Sequence, residues 1–291
     1  MKKKQMKKLT PGDYINGFIL FILAVVFIFP FLYIISISFT DPAAYVPLKF
    51  YLIPPKWSLR SYEYILSTPT FMNAMMNTVF VTVTGTICNL FVTFTFAYGL
   101  SKKKLPGRKI FAVCVLITLL FNAGIVPNYL LMKNLRLLNS HWALILGGLT
   151  NAWSIIVVRT FLQSIPESLE EAAIIDGASE LGVFSRIVIP LSIPCIASFT
   201  LLFAVGHWNT YFNAMMYLSD PKKWTLQILV KTLVMDSDSN AVGQMSMDSS
   251  SLPQETIRMA SVVLAMAPIL ILYPFLQKYF VKGVMMGAVK E

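Results

Sequence analysis

The chain has 291 residues, of which 56% are hydrophobic and only 13% charged, and it carries a net charge of +10. About a quarter of an ordinary soluble domain is charged, so this composition excludes a soluble globular protein and points to an integral membrane one. A basic balance could serve nucleic acid, but in a membrane chain Lys and Arg chiefly set orientation, and no nucleic-acid role is expected.

The N-terminal segment 1–14 is basic, and the apolar run at 15–39 that follows is too long for a cleaved signal. It is expected to be a first span that also targets the chain, kinked at Pro30. A loop at 40–73 is rich in Pro and aromatics. Five further spans are expected at 74–99, 110–131, 142–161, 192–217 and 260–281, near the roughly 20 apolar residues a crossing needs. Pro268 and Pro274 should kink the last. Asn and Thr residues stripe span two, where they can bridge helices. Cys88, Cys114 and Cys195 all lie in apolar runs and read as small buried hydrophobes rather than a disulfide or metal set.

Orientation follows from the short loops. Lys2, Lys3, Lys4, Lys7 and Lys8 precede span one. Lys102, Lys103, Lys104, Arg108 and Lys109 follow span two, and Lys278, Lys282 and Lys290 lie at the C-terminal end. With six spans these segments share one side, so both termini are expected in the cytoplasm. The opposite short loop, 132–141, holds only Lys133 and Arg136. Loops 40–73 and 218–259 then face outward. The second carries the polar insert MDSDSNAVGQMSMDSSS, long enough to touch an extracytoplasmic partner.

Residues 165–194, IPESLEEAAIIDGASELGVFSRIVIPLSIP, hold Glu167, Glu170, Glu171, Asp176 and Glu180 in a chain otherwise poor in acids. The topology puts loop 162–191 in the cytoplasm, between spans four and five. Ser164 and Glu167 fit a capping box, with Pro166 in the first helical turn. The acids favour a helix N-terminus. Gly177 and Gly182 allow sharp changes of direction, and a second short helix is expected at 184–189. Catalysis is excluded on pattern: loop 162–191 holds no His or Cys, and neither H-E-x-x-H nor G-x-S-x-G occurs.

The stretch EAAIIDGASELGVFSRIVIPLSIP resembles the EAA loop of binding-protein-dependent ABC importer permeases, through Glu171-Ala172-Ala173, Gly177, Ile187 and Pro190. With Asp176-Gly177-Ala178 and Phe184 it is similar to the smaller permease of maltose-type carbohydrate importers. The flanking Arg159, Phe161 and Pro166, the Trp208-Asn209 pair and the C-terminal Gly283, Gly287, Val289 and Lys290 fit the same pattern. The likeness covers residues 70–291 and an equivalent first span, with a permease core at 74–282 and a cytoplasmic tail at 283–291.

That resemblance implies an all-α integral membrane protein whose loop is a coupling helix docking into a cytoplasmic ATPase. The docking residues would be Glu170, Glu171, Ala172, Ala173, Asp176, Gly177, Ala178 and Phe184. Gly287, Val289 and Lys290 would touch the same partner. It further implies a second permease chain, two ATPase subunits that bind ATP and Mg, and an extracytoplasmic solute-binding protein delivering a carbohydrate. This chain has no Walker A sequence of its own; GASELGVF has two glycines without a following Lys. Asn77, Asn122, Asn151, Trp208, Asn209, Tyr211 and Asn213 are candidates for the solute pathway, since polar residues within spans are costly. A non-sugar solute stays open as the cargo. An ion-coupled secondary transporter would want intramembrane carboxylates or inverted repeats, which the sequence does not offer.

Overall fold

A computed structural model describes residues 11–235 and 253–288, from 275 on as helix backbone. Among the described residues the regular elements are helices, and the only β pairing is one antiparallel bridge between Thr40 and Trp57. They divide into two compact units, 11–68 with 253–265 and 69–235 with 266–288.

The first unit contains α1 (Pro11–Ser38), which runs as one helix through Pro30 and buries only its last residues, Ser36, Ile37 and Ser38. After it the chain folds tightly. Asp41 caps a 3-10 turn at Pro42–Ala44 and binds the Lys56 ammonium at 2.6 Å. Phe39 packs on Trp57 and Tyr62, and the Tyr62 hydroxyl shares a hydrogen bond with Ser38 at 2.7 Å. The expected outer loop thus holds structure, including α2 (Arg60–Ser67).

The second unit is organised on α3 (Pro69–Ser101), a helix of 33 residues, about 50 Å at 1.5 Å per residue. That exceeds a hydrocarbon core of about 30 Å. Part of the Asn and Thr stripe bridges to other segments, whereas Thr95 bonds Phe91 O of its own helix at 2.6 Å. Thr78 Oγ1 accepts from Leu226 N at 2.7 Å, Asn89 Nδ2 donates to Gly148 O at 2.9 Å, and Thr93 pairs with Thr150 at 2.8 Å. Two apolar clusters lie along the helix. One gathers Val81, Ala143, Leu144, Tyr217 and Ile228 near its N-terminal half. The other gathers Phe94, Ala97, Val158, Leu162, Val183 and Phe199 near its C-terminal half.

The remaining expected spans are less regular than their composition suggests. The run at 110–131 is two helices, α4 (Arg108–Leu120) and α5 (Ile125–Asn134), bent by 120°. The run at 142–161 is α6 (His141–Gly147) and α7 (Ala152–Leu162), bent by 52°. Next come α8 (Glu167–Ile175), α9 (Glu180–Val183), a π turn at Phe184–Val188, α10 (Ile189–Leu191) and α11 (Ile193–Trp208). The path from 180 turns by 79° into α11. Pro194 lacks the N–H that would bond back to Pro190 and crowds its carbonyl, so the helix breaks at Ser192. The fifth span ends at Trp208 rather than 217, because α12 (Phe212–Tyr217) is separate. Loop 218–259 begins with a 3-10 turn at Pro221–Lys223 and α13 (Leu226–Met235), which buries Leu226, Ile228, Leu229 and Leu233. The insert at 236–252 lies outside the described residues. The last helix, α14 (Gln254–Ala288), continues through Pro268 and Pro274. Among the described residues, three helices are long and apolar enough to cross a membrane unbroken, and up to six crossings result if each bent pair makes one.

Candidate functional site

The acidic stretch forms a helix, a tight turn and a second helix at the C-terminal end of α3. The expected capping box is absent. Pro166, with φ −59° and ψ 125°, is itself the N-cap of α8 and offers no side-chain acceptor. The Ser164 hydroxyl instead turns back to Phe161 O at 2.6 Å. Glu167 reaches the Lys103 ammonium at 2.8 Å, and Glu170 pairs with Lys102. Lys102 and Lys103 of the basic run after α3 therefore hold α8.

Gly177 ends α8 at φ +85°. Ala178 N donates to Ala173 O at 2.9 Å and Gly177 N to Ile174 O at 3.0 Å, the two bonds of a Schellman motif. A Cβ at Gly177 would meet nothing within 4 Å, so within this chain the glycine is needed for its backbone and not for close packing. Gly182 makes no turn; it lies inside α9, where its N–H donates to the Ser179 hydroxyl at 3.2 Å. The second helix thus starts at Glu180, earlier than expected.

The turn sorts the predicted docking residues into two sets. Glu170, Ala173, Ala178 and Phe184 face inward. Ala173, Ala178 and Phe184 pack on the cluster around Phe94 and Val183, and Phe184 lies 4.6 Å from the Tyr98 ring. Glu171, Ala172, Asp176 and Gly177 are exposed. Beside them stand apolar side chains that sequence reasoning passed over: Ile174, Ile175 (85% exposed) and Leu181 (78% exposed). Their signal was present, since Ile174, Ile175 and Leu181 flank the acids without the spacing of a buried helix face. Lys102 is half-buried, and its ammonium also lies 4.3 Å from the Tyr98 ring centroid. Burial lowers the Lys102 pKa, opposed by the nearby carboxylates of Glu180 and Glu167. In the tail, Gly287 lies on α14, while Val289 and Lys290 lie outside the described residues.

Three of the seven candidate pathway residues, Asn122, Asn151 and Asn209, serve helix breaks. Asn122 Oδ1 accepts from Gly124 N at 2.9 Å where α4 meets α5. Asn151 caps α7 through Ser154 N at 2.8 Å. Asn77 Nδ2 donates to the carbonyls of Lys222 and Trp224, each at 3.0 Å. Asn209 closes α11 by donating to Val205 O at 3.0 Å. Trp208 is buried and Asn213 exposed. Tyr211 donates to Met215 Sδ at 2.9 Å, and the Lys231 ammonium lies 4.1 Å from its ring centroid. Lys231 was missed because it sits alone in an apolar helix.

A family model described as "Binding-protein-dependent transport system inner membrane component" matches residues 9–286. The chain belongs to that family. This permease is 46% identical over 278 residues to the polygalacturonan/rhamnogalacturonan transport system permease protein YtcP of Bacillus subtilis, covering 95% of this chain and 96% of that one. It is 44% identical over 263 residues to protein LplC of the same organism, covering 90% and 89%. Its fold matches a chain in the crystal structure of a bacterial ABC transporter involved in the import of the acidic polysaccharide alginate, with a TM-score of 0.87 and 34% identity. That match covers 94% of this chain and 100% of the other. The permease is accordingly an inner-membrane transport subunit.

Proposed function

We propose that the permease carries a carbohydrate, in oligosaccharide form, across the cytoplasmic membrane by alternating access. It works with a second permease chain, two ATPase subunits and an extracytoplasmic solute-binding protein. The ATPases bind ATP and Mg. Carbohydrate cargo is supported by the relatives, whose names specify polygalacturonan and alginate transport.

The observation that carries the reading is the exposed face of α8 and the following turn. Ile174, Ile175 and Leu181 stand in the open around Glu171, although apolar groups on a finished surface are costly when contiguous. An ATPase cleft lined by apolar and basic groups would cover them. That the loops after α3 and α7 share one side of the membrane is supported by the ion pairs: Lys102 and Lys103 follow α3, Glu167 and Glu170 follow α7, and the two loops meet. An even number of crossings must separate them, as the bent pairs α4–α5 and α6–α7 supply. ATP-driven closure of the ATPases would move α8, and α8 would move the α3 bundle as a rigid body.

The test is reconstitution of the full transporter with Glu171→Arg and Ile175→Asp. Uptake and binding-protein-stimulated ATPase activity should fall together, while membrane insertion and pairing with the second permease persist. Normal uptake by both variants would refute docking at this face.

A further inference from the structure

Arg108 and Arg159 meet where α3, α4 and α7 converge, and among the described residues no carboxylate answers them. Leu100 of α3, Val115 of α4, and Ala152 and Ile155 of α7 form one apolar cluster. Arg108 precedes Val115 by two helical turns, and Arg159 follows Ile155 by one, so each lies on the face its helix turns to that cluster. Arg108 Nε donates to Leu100 O at 2.9 Å, which fixes the side chain through one of its donors. The charge acting on Arg159 is that of Arg108. Both residues are half-buried, and Arg159 Nε is enclosed with no hydrogen-bond partner among the described residues. An enclosed donor without an acceptor is costly, and two like charges side by side add to the cost.

The acids of the chain are committed elsewhere. None occurs between Glu63 and Glu167. Glu167 and Glu170 pair with Lys103 and Lys102, and Glu180 acts on Lys102 and Tyr98. Glu171 and Asp176 are exposed on the turn beyond. Asp13 and Glu291, expected on the same side of the membrane, share their segments with five and three lysines. The remaining acids follow α1 or lie at 220–255, on the opposite side in the same topology. The positive-inside tendency accounts for cations at this face. It does not account for two arginines drawn together and partly withdrawn from water.

We propose that Arg108 and Arg159 hold the phosphate of an anionic phospholipid in the leaflet at this face. A guanidinium presents a planar fork of donors that matches phosphate oxygens, and a basic pocket between spanning helices is a natural seat for a headgroup. Along α4 from Arg108, Leu116 and Leu119 lie on the same side of the helix and are each 48% exposed. They offer an acyl chain an apolar run that a free phosphate would leave uncovered. The lipid would tie the start of α4 to the end of α7, beside the lysines that hold α8. The inference concerns neither the cargo nor the docking face. It takes from the reading above only that the ends of α3 and α7 share one membrane face.

The experiment uses the whole transporter in phosphatidylcholine nanodiscs, with phosphatidylglycerol titrated in and the retained lipid counted by native mass spectrometry. Arg108→Gln and Arg159→Gln should each weaken retention of one phosphatidylglycerol about 10-fold and leave phosphatidylcholine unchanged. Lys104→Gln and Lys109→Gln, which remove exposed charges from the same face, should stay within about twofold of the native protein. Arg108→Lys should fall between, with the charge kept and the fork lost. If Arg159→Gln does not assemble, the two Arg108 variants decide the question. Equal weakening by all four Gln variants would assign retention to diffuse surface charge and overturn the proposal. So would a site that inorganic phosphate fills as readily without the lipid. Unchanged lipid retention with loss of the ATPase subunits would mean that a partner's acid answers the arginines, and would overturn it too. None of these readings uses cargo uptake, so failure here leaves the transport reading standing.

Discussion

Lys102, one residue past the end of α3, holds Glu170 of α8 in an ion pair while its ammonium lies over the ring of Tyr98. The longest helix of the second unit is thereby joined to the face proposed for docking. The side chains are 28% and 17% exposed, so solvent screens the pair only in part. Its coupling should be about 1 kcal/mol, or roughly fivefold in an equilibrium. Lys102→Glu or Glu170→Lys should each reduce solute carried per ATP hydrolysed, and the charge-swapped double variant should recover most of it. Strictly additive losses in the double variant would show that the pair transmits nothing.

Gly177 should tolerate substitution in an order set by its backbone. At φ +85° with open space around the missing Cβ, alanine costs about 1 kcal/mol through strain alone, asparagine less, and valine more. Circular dichroism melting of the detergent-solubilised permease should rank the variants Gly, Asn, Ala, Val. A reversed order, with bulk mattering more than branching, would mean that a neighbour fills the space.

Much of this was legible in the sequence. The apolar, helical character follows from composition, and the motif located α8 and its glycine turn. The helix breaks were hidden, because Asn122, Asn151 and Asn209 read as polar groups within spans when they in fact stand at helix ends. Hydropathy averages over a window and is blind to a four-residue interruption. The ion pairs were hidden for another reason: Lys102 and Glu170 are 68 residues apart in the chain, and pairing them needs the fold. Ser164 misled in the opposite direction, since Pro166 displaced the helix start that its spacing suggested.

Acid should loosen the start of α8. The Lys103 ammonium bonded to Glu167 holds that carboxyl below its ordinary range, with Lys102 and Lys104 adding to the effect. A lowered folded pKa means that the contact stabilises above the ordinary carboxylate pKa of about 4.3 and is lost as pH falls through the folded value. Amide hydrogen exchange across 167–170, corrected for intrinsic rate, should therefore quicken below about pH 4 in the native permease. Lys103→Met should remove that dependence and leave the remaining exchange pattern intact. Persistence of the acid step in this variant would assign it to another group.

The exposed apolar residues make a separate prediction. Ile175 and Leu181 touch little within the chain, so Ile175→Ser and Leu181→Ser should alter stability by no more than about 0.5 kcal/mol. If an ATPase subunit covers them, each should weaken its binding about tenfold, as buried apolar anchors do. The binding can be read by titrating labelled ATPase onto the reconstituted permease pair. Unchanged affinity in both variants would move the docking face elsewhere.

Gly85 and His207 make the tightest helix approach in the second unit that a single atom can probe. A Cβ at Gly85 would lie 2.5 Å from His207 Nε2, inside any tolerable contact. The ring is 7% exposed and also approaches Gly148, where α6 gives way to α7, so it has little room to retreat. Gly85→Ala should cost about 1–3 kcal/mol by forcing α3 and α11 apart. His207→Ala should also destabilise, by leaving a void. Removing the ring removes the clash, so the double variant should be clearly more stable than the sum of the two losses. Thermal unfolding of all four proteins in the same detergent gives the cycle. Additive losses would mean that the helices part elsewhere to admit the methyl group.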